Sequence, residues 1–337
     1  MNNPSLASFF ALQVLCWMTL FSCGKSDKPY HLEIPQGWPE PVISADKKLT
    51  KNRVLLGRKL FYDPILSAHG DMSCGTCHNP YLAFADSVPF SGSHNAELKR
   101  NTPTLFNMAW YPHFFMEGGI PTLELVAAVP IQAKDEMGFN LGDAVRRLLN
   151  DKEYVELFIK SYDTLPSTYT LVRALSAFQR TLISGNSPYD RLMSGDSSAL
   201  SLNAKRGMKL FFSERLNCSA CHSGFLFNDF SFHDIGLPNR ADVGRFRLTS
   251  LNSDSSAFKT PTLRNIAMTK PYMHDGSLAT LDEVVDFYVK GGGNFRHKDA
   301  LIKPFDITPQ EKADLISFLQ SLTDSAALSN PDYLPLE

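Results

Sequence analysis

Apolar residues recur at intervals of three and four along most of the chain, the spacing of helices that bury one face. One such stripe runs from Leu49 to Leu60, and a second runs from Val145 to Phe158. Residues 168–184 predict a further helix, which we expect to cross toward a second domain. Because strand-type alternation is nearly absent, the pattern predicts an all-α fold.

The clearest single helix signal lies at residues 308–322. Thr308 and Glu311 have the spacing of a capping box, and Pro309 occupies the first helical position, where proline is tolerated. The residues expected to face the core are Leu315, Phe318, Leu319 and Leu322. Residues 223–259, by contrast, predict a long loop.

Length and charge narrow the class of protein. The 337 residues are enough for two domains, each with its own core. The 33 basic side chains are balanced by 35 acidic ones, and no block of basic residues occurs. This composition argues against binding to nucleic acid or to a membrane through a polybasic segment.

The N-terminus carries an almost wholly apolar run, "FFALQVLCWMTLF", at residues 9–21. A bilayer-spanning helix takes roughly 20 residues, so this run is typical of a signal peptide instead. The following "LFSCG" resembles a bacterial lipobox, in which cleavage leaves Cys23 lipidated; an ordinary secretory signal is the alternative. We therefore expect a lipoprotein-type signal peptide at 1–22, a tether at 23–44, and a periplasmic protein that meets the membrane only through this lipid anchor.

Four of the six cysteines lie in two short motifs, "CGTCH" at 74–78 and "CSACH" at 218–222. In C-x-x-C-H, two thiols bond covalently to haem and the histidine ligates the iron. A zinc half-site or a redox dithiol would fit one C-x-x-C, but not two copies that are each followed by histidine. The motifs predict two haem c groups, held by Cys74, Cys77, His78, Cys218, Cys221 and His222.

The segments downstream of the two motifs are similar to each other. "TPTLFNMAWYPHFFMEGGIPTLEL" (102–125) aligns without gaps to "TPTLRNIAMTKPYMHDGSLATLDE" (260–283), 158 residues further on. Such self-similarity indicates duplicated units. We expect two cytochrome c-like domains related by internal duplication, at 45–200 and 201–337.

The same offset pairs Pro130 with Tyr288, each in a helix that should open at Thr122 or Thr280. If both positions approach the haem face opposite the histidine, the Tyr288 phenol can ligate iron, whereas proline cannot. The first haem would then keep an open position and the second would be closed. The alternative is that Pro130 only ends a helix and Tyr288 is a core aromatic residue.

Two carboxylates follow Pro130 in "IQAKDEMG". Peroxide cleavage at an open haem requires a base that moves a proton between the two oxygen atoms. Asp135 and Glu136 are the candidates, and a solvated turn is an equally good interpretation of the same residues.

Taken together, the two C-x-x-C-H motifs, "RNTPTLFN", "EGG…LE…PI….EM" and "TPTLRNIAMTKPYMHDGSLATLDEVVDFY" resemble the bacterial di-haem cytochrome c peroxidase and MauG superfamily over about residues 45–325. The resemblance implies that Glu136 is the acid/base residue at the N-terminal haem. It implies that the C-terminal haem relays electrons from a reduced cytochrome or a similar donor. It also implies Ca²⁺ between the domains, held by the Asn101 side chain and the backbone carbonyls of Thr269 and Pro271.

Several positions depart from the peroxidase pattern of the family. Met116 stands where an inter-haem tryptophan is common, and Val126 replaces a distal glutamine. Tyr288 is similar to MauG, whereas peroxidases of the family commonly have methionine there. His94 lies one position away from where the family has a loop histidine that blocks the resting haem, so it is a candidate iron ligand; a surface residue is the alternative.

These features predict a cytochrome c peroxidase that reduces hydrogen peroxide to water with electrons from a reduced cytochrome c. The alternative is a MauG-like oxidase that acts on a protein side chain or another organic substrate. A non-catalytic di-haem electron carrier fits less well, because Pro130 would serve no purpose in it. The sequence leaves a homodimer open.

Overall fold

The computed structural model describes residues 27–92 and 98–336. The predicted signal peptide, Cys23 and His94 lie outside these residues, so what was predicted for them stays a prediction. Within the described ranges, no helix combines the length and the apolar character needed to cross a membrane.

The described residues are mainly helical, as the periodicity predicts. The helices are α1 (Lys51–Tyr62), α2 (Cys74–Cys77), α3 (Leu123–Gln132), α4 (Leu141–Leu149), α5 (Lys152–Tyr162), α6 (Thr168–Thr181), α7 (Pro188–Met193), α8 (Leu202–Phe211), α9 (Phe246–Thr249), α10 (Leu281–Val289), α11 (Pro309–Gln320) and α12 (Ser325–Leu328). The two-residue strands β1 (Phe232–His233) and β2 (Phe258–Lys259) pair antiparallel within the predicted loop 223–259. This loop also holds the short α9, so it is long but not structureless.

Side-chain caps define where the main helices begin. At α11 the Thr308 hydroxyl accepts a hydrogen bond from the Glu311 amide at 3.2 Å. The Glu311 carboxylate accepts one from the Thr308 amide at 2.9 Å. The predicted capping box is therefore confirmed, and such a cap contributes about 1 kcal/mol. The four residues predicted to face the core are all buried, although Leu322 lies just beyond the end of α11.

The first hydrophobic core lies between α1, α3, α5 and α6. Phe61 of α1 contacts Phe178 of α6 with 5.3 Å between ring centroids, and Phe84 contacts Phe106 at the same distance. The end of the predicted segment 168–184 reaches the second half of the chain, where the Asn265 side-chain amide donates to the Ser184 hydroxyl at 2.8 Å, whereas the buried side chains of α6 belong to this first core. They bury there because the apolar face of α6 matches that of α1.

The second core lies between α8, α10 and α11, around Phe211, Phe227 and Phe318. The C-terminal segment then returns to the first core, where Ala327 and Tyr333 are buried. Tyr333 exchanges hydrogen bonds with the backbone of Ile183 at 3.1 and 3.2 Å. The division at residues 200 and 201 stays a prediction, but the first core takes residues from both ends of the chain.

A glycine permits two helices to pack closely in each half of the chain. A Cβ on Gly57 of α1 would collide with the backbone carbonyl of Ala174 in α6, and one on Gly207 of α8 would collide with that of Asp314 in α11. Both helix pairs therefore approach at a distance that no other residue allows.

We expect Gly207→Ala to lower the free energy of unfolding by about 1–3 kcal/mol, since α8 and α11 must separate to admit the methyl group. Chemical denaturation of the haem-loaded protein, followed by circular dichroism, measures this loss. Gly92→Ala is the matched control, because a Cβ there meets no atom of the described residues within 4 Å. Equal effects of the two substitutions would contradict the packing argument.

Candidate haem sites

The first C-x-x-C-H motif folds as the single turn α2, which packs beside α1. Ser73 precedes this turn, and its backbone amide is capped by the Thr76 hydroxyl at 3.0 Å. The His78 Nδ1 lies 2.7 Å from the carbonyl oxygen of Phe84. Because a backbone carbonyl accepts the proton on Nδ1, Nε2 is left as the nitrogen that can bind a metal.

The second motif has the same local structure. Cys218–Ala220 forms a short 3₁₀ turn, and His222 Nδ1 lies 3.1 Å from the carbonyl oxygen of Phe227. Burial lowers the pKa of both His78 and His222, although the carbonyl contacts oppose the shift. Both imidazoles are thus kept neutral and oriented, which is the form that ligates iron.

The four motif cysteines are free thiols rather than disulfide partners. Burial raises the pKa of both Cys74 and Cys218 to about 12, so neither is a reactive thiolate. Paired thiols beside an oriented, neutral histidine are the donor set that covalent haem attachment requires. The residues of both motifs therefore fit haem c.

Pro130 lies inside α3, which continues two residues beyond it to Gln132. The proline is therefore not a helix stop. Thr122 and Thr280 are the N-caps of α3 and α10, so Pro130 and Tyr288 both occupy the eighth position of their helices. The predicted register between the two residues is thus kept in the structure.

Tyr288 faces the second haem motif. Burial raises the pKa of its phenol, and the thiols of Cys221 and Cys218 add to the shift. Because burial disfavours a phenolate, a neighbouring cation is needed to hold the anionic form, and ferric iron would meet that need. Tyr288 therefore fits as a residue that would hold, together with His222, the iron of the second haem.

Glu136 faces the first haem motif from the turn after α3. Burial raises the pKa of Cys74 and of Cys77, and the Glu136 carboxylate adds to both shifts. Burial also raises the pKa of Glu136 itself to about 7, with a contribution from Asp135. Asp135 is exposed, so the structure favours Glu136 as the residue that acts near the first haem.

The segment 101–118 of the first half, residues 45–200, contacts the second half, residues 201–337. The Asn101 side-chain amide donates to the carbonyl oxygen of Pro271, and the Asn101 backbone amide donates to that of His274 at 2.8 Å. The structure thus brings together two of the three predicted calcium ligands, Asn101 and Pro271. The third, Thr269, caps the 3₁₀ turn Ile266–Met268, two residues before Pro271.

Two of the departures from the peroxidase pattern, Met116 and Val126, have different surroundings. Met116 accepts a hydrogen bond through its carbonyl oxygen from the Lys259 amide, at 2.7 Å, and so lies between the halves. Val126 packs in the first hydrophobic core.

One group near the second motif could not be found from the sequence. His233 lies between two carboxylates, with Nδ1 2.6 Å from Asp299 and Nε2 3.1 Å from Asp229. Contact with Cys221, followed by these carboxylates, raises the pKa of His233 to about 10. No signal in the sequence points to this group, since Asp299 lies 66 residues from His233 and no motif links the three residues.

A mainly helical framework with two C-x-x-C-H motifs, whose histidines are each oriented by a backbone carbonyl, defines a di-haem c-type protein. A family profile described as di-haem cytochrome c peroxidase matches residues 51–198. The methylamine utilization protein MauG of Methylorubrum extorquens is 41% identical over 303 residues, covering 88% of this chain and 85% of that protein. The chain therefore belongs to the di-haem cytochrome c peroxidase and MauG family, as the sequence motifs predicted.

The chain is also similar to a peroxidase of the family and to a MauG-like protein of known structure. The cytochrome c551 peroxidase of Pseudomonas aeruginosa is 32% identical over 298 residues, covering 85% of this chain and 83% of that protein. The crystal structure of a MauG-like protein associated with microbial copper homeostasis is 32% identical, with a TM-score of 0.85 over 91% of this chain and 99% of that one. The family thus includes both peroxidases and MauG proteins.

Proposed function

We propose that this protein is a MauG-like di-haem oxidase, which uses hydrogen peroxide to oxidise a protein side chain or another organic substrate. The observation that carries the proposal is Tyr288 beside the second haem motif, where many peroxidases of the family have methionine. Two MauG proteins, 41% and 37% identical to this chain, support it.

The chain's own residues divide the work between the two sites. His78 would hold the first iron, and Pro130 contributes no ligand atom there. His222 and Tyr288 would both contribute a ligand atom to the second iron. When bound, the haems supply the electron-transfer and peroxide-reducing chemistry of the family. The overall reaction consumes one hydrogen peroxide, two protons and two electrons and yields two waters.

Glu136 is the general acid/base residue of that reaction. With a pKa of about 7, its carboxylate is ionised in about half of the molecules at neutral pH. It can therefore accept a proton from peroxide and return it to the departing oxygen. Its side chain is only partly exposed, so bulk water competes poorly for this proton.

A cytochrome c peroxidase is the second candidate. It is favoured by relatives such as the cytochrome c peroxidase IdrP1 of Denitromonas iodatirespirans, which is 34% identical over 361 residues. The electron donor would then be a reduced cytochrome c or a similar carrier. The two candidates differ in where the two electrons come from.

The deciding experiment adds peroxide to the haem-loaded protein in the presence of a reduced c-type cytochrome. Our proposal predicts that peroxide changes the haem spectrum while the cytochrome is oxidised no faster than without enzyme. Sustained oxidation of the cytochrome at two molecules per peroxide would instead establish the peroxidase.

We expect Tyr288→Met to raise the midpoint potential of the second haem by on the order of 0.1 V, because a thioether stabilises ferric iron less than a phenolate does. Spectroelectrochemical titration of both haems measures the shift. Tyr272→Phe is the control, since Tyr272 is a tyrosine of the second hydrophobic core whose hydroxyl donates to the Ile266 carbonyl oxygen, at 3.1 Å. An unchanged potential in Tyr288→Met would mean that Tyr288 is not an iron ligand.

The proposal also places the protein in the periplasm, anchored through a lipid on Cys23. It includes an internal duplication, supported by 3₁₀ turns at Met108–Trp110 and Ile266–Met268, which lie 158 residues apart like the caps of α3 and α10. Calcium at Asn101, Thr269 and Pro271 is part of the same proposal. The donors fit, because all three would be neutral oxygens, with the Asn101 amide rotated to present its oxygen.

A further inference from the structure

The contact between the two halves contains the same pair of hydrogen bonds twice. In one copy the first half donates to the second, and in the other copy the second half donates to the first. The Asn101 amide donates to the carbonyl oxygen of His274 at 2.8 Å, and the Lys259 amide donates to that of Met116 at 2.7 Å. Lys259 follows Asn101 by 158 residues, and His274 follows Met116 by the same number. The two hydrogen bonds are therefore equivalent under the repeat.

The side chains of the same two residues repeat the pattern. The Asn101 side-chain amide donates to the carbonyl oxygen of Pro271, and the Lys259 ammonium donates to that of His113 at 3.2 Å. Pro271 and His113 again lie 158 residues apart. Asn101 and Lys259 thus reach equivalent carbonyls across the interface.

The third carbonyl of the predicted calcium site also has a counterpart. Thr269 corresponds to Tyr111, and both residues close a 3₁₀ turn. The Thr269 amide donates to Ile266 at 3.4 Å, and the Tyr111 amide donates to Met108 at 3.2 Å. Every residue predicted to bind calcium therefore has an equivalent on the other side of the interface.

Two residues that are equivalent to each other meet between these positions. The Arg100 guanidinium lies 5.4 Å from the centre of the Phe258 ring, and the two residues occupy the same place in their halves. Equivalent residues in contact mark an approximate two-fold relation between the halves. The calcium position and the Lys259 position lie on opposite sides of it.

The Lys259 ammonium lies in surroundings suited to a cation. It is 4.7 Å from the centre of the Tyr111 ring, a cation–π distance, and it bonds a backbone carbonyl. Among the described residues, no carboxylate forms an ion pair with it. Burial lowers the pKa of Lys259 to about 8, so most of the ammonium remains charged at neutral pH. An unpaired buried charge is unfavourable unless its neighbours replace water.

We propose that the Lys259 ammonium is a built-in counterpart of the calcium ion expected at Asn101. The interface then contains two equivalent cation positions, one for a metal ion and one filled by a lysine side chain. This inference rests on the calcium site proposed above. It implies that the chain binds one calcium ion and that the residue at position 259 is what prevents a second.

Reciprocal substitutions in the full-length, haem-loaded protein test the inference. Each protein is treated with a chelator, equilibrated with excess Ca²⁺ and freed of unbound metal by gel filtration, and calcium per chain is measured by mass spectrometry. We expect one ion in the wild type, two in Lys259→Asn, and one in Lys259→Met, which removes the ammonium without adding an oxygen.

Asn101→Lys is the reverse change, and it keeps the inference testable if Lys259→Asn does not fold. We expect it to bind no calcium and to keep a thermal midpoint that a chelator no longer lowers. Haem content of two per chain checks that each variant is folded.

The outcomes separate the two proposals. One calcium in the wild type and one in a folded Lys259→Asn would overturn the equivalence while leaving the calcium site intact. Retention of calcium by a folded Asn101→Lys would overturn it as well. No calcium in the wild type would refute the calcium site itself, and the inference with it.

Discussion

Glu136→Gln is expected to slow the reaction with peroxide by roughly 10²- to 10⁴-fold, because glutamine cannot accept a proton from peroxide. Stopped-flow absorbance of the haem-loaded protein, at several peroxide concentrations, measures the second-order rate constant. Haem content and spectrum should be unchanged, since Glu136 is neither an attachment residue nor a predicted iron ligand.

The pH dependence gives the same prediction a second readout. Burial and Asp135 raise the pKa of Glu136 to about 7, and the base must be ionised to act. The wild-type rate constant should therefore rise about tenfold per pH unit below pH 7 and level off above it. In Glu136→Gln this rise should be absent.

Asp135→Asn is the matched control, because Asp135 is the exposed neighbour that contributes to the pKa of Glu136. It should keep the rate constant within about threefold and move the midpoint of the pH profile to a lower pH, since a negative charge is lost. A large loss of rate in Asp135→Asn with little loss in Glu136→Gln would show that Asp135, and not Glu136, is the base.

The second large effect is expected on stability, from Asp190→Asn. Arg264 is 2% exposed and contacts both Asp190 carboxylate oxygens, at 2.8 and 2.9 Å. Removing the carboxylate leaves a buried guanidinium without its partner, which costs about 3–5 kcal/mol. Arg264 also donates to the Phe225 carbonyl oxygen, so the loop after the second haem motif should loosen too.

Chemical denaturation at pH 7 measures this loss. Burial would raise the pKa of Asp190, but Arg264 lowers it below the usual value of 3.8. The contribution is therefore present above that pH, and the difference between wild type and variant should shrink as the pH falls below it. Asp286→Asn is the control, because Asp286 pairs with Lys312 but its side chain is 54% exposed, and such pairs contribute about 0–1 kcal/mol. A loss below about 1 kcal/mol in Asp190→Asn would contradict the argument.

The parts of the molecule that the sequence predicted well depend on residues that lie close together in the chain or on short motifs that recur in it. The α11 cap needs only Thr308 and Glu311, three residues apart. The haem motifs are five residues long, and the register of Pro130 with Tyr288 follows from an ungapped repeat. Such signals are complete within one segment, so no knowledge of packing is required.

The parts that were missed depend on contacts between distant segments. α6 carries a buried face, but nothing in that face tells which core it enters. His233 meets Asp299 only after the loop between α10 and α11 has folded back onto β1, and Lys259 meets His113 across 146 residues. Electrostatic shifts such as that of Glu136 likewise arise from burial, which the tertiary structure sets.

The return of the C-terminal segment to the first core limits how this protein can be divided. Tyr333 is 8% exposed, and the Arg58 guanidinium of α1 donates to the Leu334 carbonyl oxygen at 2.5 Å. A fragment ending near residue 200 would lack these partners and expose apolar surface of α1 and α6 to water. The first half therefore depends for its stability on a segment that follows the second half. Substitutions in α1 and in residues 327–334 constrain each other, although they lie at opposite ends of the chain.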